Sequence, residues 1–212
     1  MKKKKTGFLI VISGPSGVGK DTICNELVKK HKEIHLSISM TTREKRSNEK
    51  DGKDYFFVTK EEFENKIKND ELLEYAVVHN EYYGTPKEWV INELNKGINV
   101  ILLIDINGAL KIKNIFKEAI FIFIMPPNMK TLIDRLVKRG TETKDKIITR
   151  FKASYREINE ITKYNYVVVN DILDEAIKKI EAIFIAEQCS VNRIDDLELD
   201  NEEELIHEFL MK

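Results

Sequence analysis

The feature that most constrains this chain is the run FLIVIS, Phe8 to Ser13, which passes directly into GPSGVGKDT, Gly14 to Thr22. A continuous apolar run rich in β-branched residues suits a strand covered on both faces of a parallel sheet. Ile23, Leu27 and Val28 then recur at helical spacing over Asp21 to Lys30, so the order is strand, glycine-rich turn, helix. In that setting Gly14, Gly17 and Gly19, with Pro15, Ser16 and Val18 between them, let backbone N–H groups converge on phosphate oxygens. The helix N-terminus adds positive dipole, and Lys20 reaches the terminal phosphates. The pattern G-x-x-x-x-G-K-S/T is filled by Gly14, Gly19 and Lys20 and then broken by Asp21, with Thr22 keeping a hydroxyl one residue further on.

The same alternation predicts an α/β fold. Asn99 to Ile106 (NVILLIDI), Ala119 to Met125 (AIFIFIM) and Tyr166 to Val169 read as further buried strands, and helical patterns fall at 86–96, 108–117, 128–139, 144–161 and 172–188. Strands separated by helices give a three-layer fold with a parallel central sheet and right-handed crossovers. Residues 37–83 differ: short mixed segments lie among charged turns, with one helix near Lys60 to Asp70, as expected for an inserted β-rich subdomain. Arg135 to Arg150 breaks at Gly140 and is dense in cations, which predicts a mobile flap. Residues 189–212 form an acidic extension with interleaved Leu, Ile and Phe, read as a solvated appendage, with a docking helix as the alternative.

Lys plus Arg number 35 and Asp plus Glu 36, so any anion site is local, and neither nucleic acid nor an anionic membrane is an expected partner. The opening apolar run is too short for a membrane span or signal segment. Cys24 and Cys189 lie far apart, as in a reducing cytoplasm, and the four His show no metal-ligand spacing.

The segment SMTTREKRSNEKDGKDYFFV, Ser39 to Val58, resembles the acceptor-binding region of guanylate kinases, which runs S-x-T-T-R-x-x-R-x-x-E-x-x-G-x-D-Y-x-F-V. ELLEYAVVHNEYYGT (71–85), IDINGA, RGTET (139–143) and VVVND (167–171) resemble, in order, the family's second acceptor segment, acidic strand end, lid and adenine-side turn. The resemblance covers residues 7–187 and implies a P-loop fold carrying an inserted GMP-binding subdomain (about 37–85) and a lid (about 135–150). It implies transfer of the ATP γ-phosphoryl to GMP with Mg²⁺. Independently, Arg43 and Arg46, with the hydroxyls of Tyr55 and Tyr83, suit a phosphate monoester dianion. One carboxylate accepts both N1–H and N2–H₂ of guanine, a role the resemblance assigns to Glu74, with Ser39 available to the base O6. It also puts Gly84, Thr85 and Asp105 on the GMP side, Asn170 on the ATP side, and Lys20, Arg43, Arg135, Arg139 and Arg150 in charge neutralisation.

Two departures from the family pattern stand out. Leu103 occupies a usually acidic place two residues before Asp105, and Asp21 replaces a hydroxyl, so Asp21 and Thr22 are the candidate Mg²⁺ ligands. A non-catalytic relative that binds phosphorylated proteins, and an enzyme for another nucleoside monophosphate, remain as alternatives. The former would lack an intact loop and the latter has no use for Glu74. Monomer and homodimer are both compatible with the sequence.

Overall fold

The computed structural model describes residues 6–47, 49–78, 80–138, 144–193, 206, 207 and 209–211. The elements run β1 (Leu9–Ser13), α1 (Lys20–Lys30), β2 (Ile34–Leu36), β3 (Met40–Thr41), β4 (Phe56–Phe57), α2 (Lys60–Lys68), β5 (Leu72–Val78) and β6 (Glu81–Pro86). Then follow α3 (Lys87–Asn95), β7 (Asn99–Leu103), α4 (Ile106–Ile115), β8 (Ile120–Met125), α5 (Met129–Lys138), α6 (Lys144–Asn159), β9 (Tyr166–Val169) and α7 (Leu173–Gln188).

Five strands form a parallel sheet in the order β2-β7-β1-β8-β9. β1 is central and every residue in it is buried, as its unbroken apolar run requires. Leu9 and Val11 of β1, Val100 and Leu102 of β7, and Phe121 of β8 pack with Val90 of α3 and Ala109 and Ile112 of α4. Strand pleating turns Ile10 and Ile12 to the other face, and α1 lies against β2 and β7. The layers are therefore helix, sheet, helix. The chain leaves β1 through α1 for β2, beyond β7 on one side, and later crosses from β7 over β1 to β8 on the other, so the carboxyl end of β1 is a switch point where a ligand crevice opens.

A second sheet, β4-β3-β6-β5, comes from residues 40–86. Its small core is Met40, Phe63 and Leu72, with Tyr82 stacked on Phe63 at 5.1 Å between ring centroids. The helix supplying Phe63, α2, begins in a capping box in which Thr59 and Glu62 exchange hydrogen bonds.

Two expectations shift. The strand read to Ile106 ends at Leu103, because the Asp105 side chain accepts from Gly108 N at 2.7 Å and caps α4. β2, which the sequence reading did not identify, adds a fifth parallel strand by pairing with β7 from Ile34–Asn99 to Leu36–Ile101. The chain divides into two compact units, Met1–Ile177 and Lys178–Lys212, with the division inside α7. In the second unit Arg193 pairs with Glu187 at 3.0 Å. No helix among the described residues is long and apolar enough to cross a membrane.

Candidate active site

The phosphate loop is set by backbone geometry that only glycine adopts without strain. Gly14, Gly17 and Gly19 have φ of 144°, 89° and 96°. A Cβ on Gly14 would lie 2.2 Å from Ile124 O, so the loop rests directly on β8. Lys20 begins α1, and its Nζ donates to Gly14 O at 2.6 Å and Pro15 O at 3.0 Å, folded over the loop. Loop carbonyls are held from behind: Asn170, 6% exposed, donates from Nδ2 to Val18 O at 2.7 Å, and Arg135 donates to Asn170 O at 3.0 Å. Arg150, from α6, donates to Ser16 Oγ at 3.0 Å. Asp21 and Thr22 are exposed in the first turn of α1.

Facing the loop is a cavity of about 510 Å³ lined by Asp21, Ser39, Arg43, Arg46, Tyr55, Tyr83, Leu103 and Arg150, among others. Arg43 is gripped by Glu49, with Nη2–Oε1 at 2.8 Å and Nη1–Oε2 at 3.1 Å, and its guanidinium lies 5.5 Å from the centre of the Tyr55 ring. The Glu49 carboxylate raises Arg43 further above its ordinary range, burial opposes this, and the Tyr83 hydroxyl adds to the rise. Glu49 is lowered in return, first by Arg43 and also by the N–H of Arg46. Arg46 is 65% exposed, and its Nη1 lies 3.9 Å from Glu49 Oε1. Tyr55 and Tyr83 meet edge to face at 6.0 Å, and burial followed by the Asp21 charge raises the Tyr55 phenol. Asp21 thus lines the same cavity as Tyr55 and Tyr83.

A smaller pocket of about 170 Å³ adjoins these residues, sharing Ser39, Tyr55, Tyr83 and Leu103 and adding Glu74, Gly84, Ile104 and Asp105. A register shift in the β5–β6 pairing between Leu72 and Glu74 breaks strand alternation, so that Leu72, Leu73 and Glu74 are all buried. Glu74 is thereby delivered inward at 6% exposure. Thr85 Oγ1 donates to its Oε1 at 2.8 Å, and Oε2 lies against Gly108, where a Cβ would sit only 2.7 Å away. Burial pushes the Glu74 carboxyl up to about 7; the Thr85 bond opposes the rise, Asp105 adds to it and Lys111 opposes it. Gly84 is also sterically fixed, since a Cβ there would meet Phe63 Cζ at 2.9 Å and Glu74 O at 3.0 Å.

The structure thus brings together Ser39, Arg43, Arg46, Tyr55, Glu74, Tyr83, Gly84 and Asp105, with Thr85 reaching the site through Glu74. Asn170 and Arg135 sit behind the phosphate loop, and the side chain of Asp105 serves α4 as its cap. Arg139 and the rest of 139–143 lie outside the described residues. Glu49 and Gly108 join the site without a sequence signal of their own. Glu49 stands in the quoted acceptor segment, and Gly108 in IDINGA, yet their contacts are visible only in three dimensions.

A glycine-rich phosphate loop at the switch point of a parallel sheet, facing an arginine- and tyrosine-walled cavity with a buried carboxylate beside it, defines a P-loop phosphotransferase of the nucleoside monophosphate kinase class. The family model described as guanylate kinase matches residues 6–187, and the chain belongs to that family. It is 55% identical over 206 residues to the guanylate kinase of Caldanaerobacter subterraneus subsp. tengcongensis, spanning 97% of this chain and all of that protein. The guanylate kinase of Clostridium tetani is also 55% identical, over 96% of this chain and 98% of its own length. The crystal structure of guanylate kinase from Anaplasma phagocytophilum superposes with a TM-score of 0.76 at 37% identity, covering 90% of each chain.

Proposed function

We infer that the protein transfers the γ-phosphoryl group of ATP to GMP, giving ADP and GDP. The carrying observation is Glu74, a buried carboxylate in a pocket that adjoins the cavity of Arg43, Tyr55 and Tyr83. Guanine offers it two adjacent donors, whereas adenine presents an acceptor at N1 that an ionised carboxylate repels. In this reading Ser39, Glu74 and Thr85 define the base site, and Arg43, Arg46, Tyr55 and Tyr83 hold the acceptor phosphate. Residues 37–85 then act as the GMP-binding insertion, residues 135–150 as the lid, and 189–212 as an acidic extension of a catalytic region ending near residue 188.

The attacking atom is a phosphate oxygen that is ionised at neutral pH, so no general base is needed. Lys20 and the loop N–H groups hold the donor phosphates. Arg150 bridges from the loop toward the acceptor cavity it also lines, close to where charge develops on the transferring group. Arg135 supports the loop through Val18 O and Asn170 O. Excluding water when the lid closes protects ATP from hydrolysis.

Mg²⁺ fits the donor set. Asp21 and Thr22 supply exposed oxygens at the start of α1, and no three His, Cys, Asp or Glu among the described residues gather into a cage. A hard cation that takes most ligands from phosphates and water requires no such cage. Asp21 and Thr22 would hold the ion, which when bound neutralises charge on the phosphates.

A coupled assay with ATP and a panel of GMP, AMP, CMP and UMP tests the reading. The expected preference for GMP in kcat/KM is at least about 10²-fold. An equal or better rate with another base would refute it, and no turnover with any acceptor would favour a non-catalytic binding domain.

A further inference from the structure

Glu157, on α6, takes no part in the contacts described so far. Arg150, Ser154 and Glu157 follow one another at i, i+4 and i+7 and so share one face of that helix. Arg150 reaches Ser16 of the phosphate loop, and Ser154, 1% exposed, donates to Arg150 O at 2.9 Å, so this face is turned toward the loop. Two turns beyond Arg150, Glu157 is half-buried, and its Oε2 is closed off and accepts no hydrogen bond. Burial raises its carboxyl above the ordinary range, the Lys20 ammonium draws it back, and Asp105 adds to the rise. After the end of α6, the Tyr164 phenol is pushed up to about 12, chiefly by burial, and it too feels Asp105, Glu157 and Glu160.

A closed-off carboxylate oxygen with no donor opposes folding, and such a group in a native protein calls for a reason. Packing gives none here, since a glutamine of the same shape would fill the space without the charge. The Lys20 ammonium, whose charge favours the ionised form of Glu157, has its Nζ on the carbonyls of Gly14 and Pro15. An ammonium has three donors, and a triphosphate entering the loop draws it off at least one carbonyl.

We propose that Glu157 is a positioning residue for Lys20: on nucleotide binding its carboxylate accepts one ammonium N–H and thereby aims the others at the transferring phosphoryl group. Glu157 touches neither nucleotide and acts through Lys20. One helix then orients two cations, Arg150 directly and Lys20 through its counter-ion. The proposal rests on the phosphotransfer reading of the site.

The test is a double-mutant cycle of Glu157→Gln and Lys20→Met in the full chain. It is read by kcat, by the dissociation constant of a non-hydrolysable ATP analogue, and by thermal unfolding. Glu157→Gln should lower kcat about tenfold with KM for GMP unchanged, and weaken the analogue. Both effects should shrink to less than about twofold in the Lys20→Met background. A carboxyl raised by burial contributes its full stability below the ordinary carboxylate range and loses it as pH rises through its folded value. Glu157→Gln should therefore raise the unfolding midpoint at about pH 7 and leave it unchanged near pH 4. Penalties that multiply in the double variant, or a lower midpoint at neutral pH, would show a structural glutamate and overturn the proposal. If the wild-type protein turned over no acceptor, the phosphotransfer reading would fall, while analogue binding and unfolding would still decide the Glu157–Lys20 coupling.

Discussion

Protonation of Glu74 should make guanine binding weaken steeply as pH falls below neutral. Burial pushes this carboxyl up to about 7 in the free protein, against the Thr85 bond and the Lys111 charge and with Asp105 adding to the rise. Two N–H donors from the base favour the ionised form, so binding the base should lower this value well below 7. Binding then releases a proton, and apparent affinity falls by a factor of 1 + 10^(7−pH), which is about twofold at pH 7, about tenfold at pH 6 and about thirtyfold at pH 5.5. Each further unit costs about 1.4 kcal/mol until the bound-state value is reached. The phosphate of GMP itself titrates near pH 6, so guanosine is the cleaner probe and GMP the comparison. Calorimetry in two buffers of different ionisation enthalpy should read about half a proton released per guanosine at pH 7. Glu74→Gln should bind weakly and without this slope. A guanosine affinity that is flat between about pH 8 and about pH 5.5, or an unchanged slope in the glutamine variant, would refute the assignment of Glu74 to the base. Stability carries the opposite sign. The raised carboxyl contributes fully below its unfolded value and loses that contribution as pH rises through about 7, so Glu74→Gln should stabilise the free protein at pH 8 and not at pH 4.

Gly108→Ala puts a methyl group 2.7 Å from Glu74 Oε2; unfolding should change by less than about 1 kcal/mol, since alanine favours the helix, while KM for GMP rises several-fold in steady-state assays. Arg150→Ala should lower kcat by about 10² or more with little change in the GMP dissociation constant, because its charge matters most as the phosphoryl group moves; lost GMP affinity at normal turnover would place it on the acceptor instead. Asp21→Ala should raise the Mg²⁺ concentration giving half-maximal rate under saturating ATP, and Asp21→Ser should restore it in part. An unchanged Mg²⁺ dependence in both variants would leave Asp21 as a first-turn helix acid.

The parts of the fold legible in sequence were those whose signal is local. The all-buried β1, the glycine turn and α1 form one contiguous statement about period and backbone freedom, and the acceptor segment keeps its lettered positions within twenty residues. β2 was hidden because its three residues are too few to show a period, and its existence depends on β7. The end of β7 is not legible in the sequence because apolar continuity through Ile104 and Ile106 competes with the capping chemistry of Asp105, and the cap prevails. The inward turn of Glu74 comes from a register irregularity between two strands, which no single strand announces. Glu49, Gly108 and Glu157 draw their meaning from partners distant in sequence or from burial. They read as ordinary residues until the chain is folded.

The bonds that brace the phosphate loop join the beginning of the chain to positions far along it: Val18 to Asn170, Ser16 to Arg150, and Val18 to Arg135. During synthesis the loop sequence emerges first, yet its shape waits for β8 beneath Gly14 and for Asn170 beyond β9. Long-range closures of this kind slow folding and concentrate it in late, cooperative steps. A ribosome-bound chain stopped before β9 should therefore fail to retain nucleotide even with every glycine and Lys20 already exposed. Competence for ATP would then arrive near the end of translation, nearly all at once.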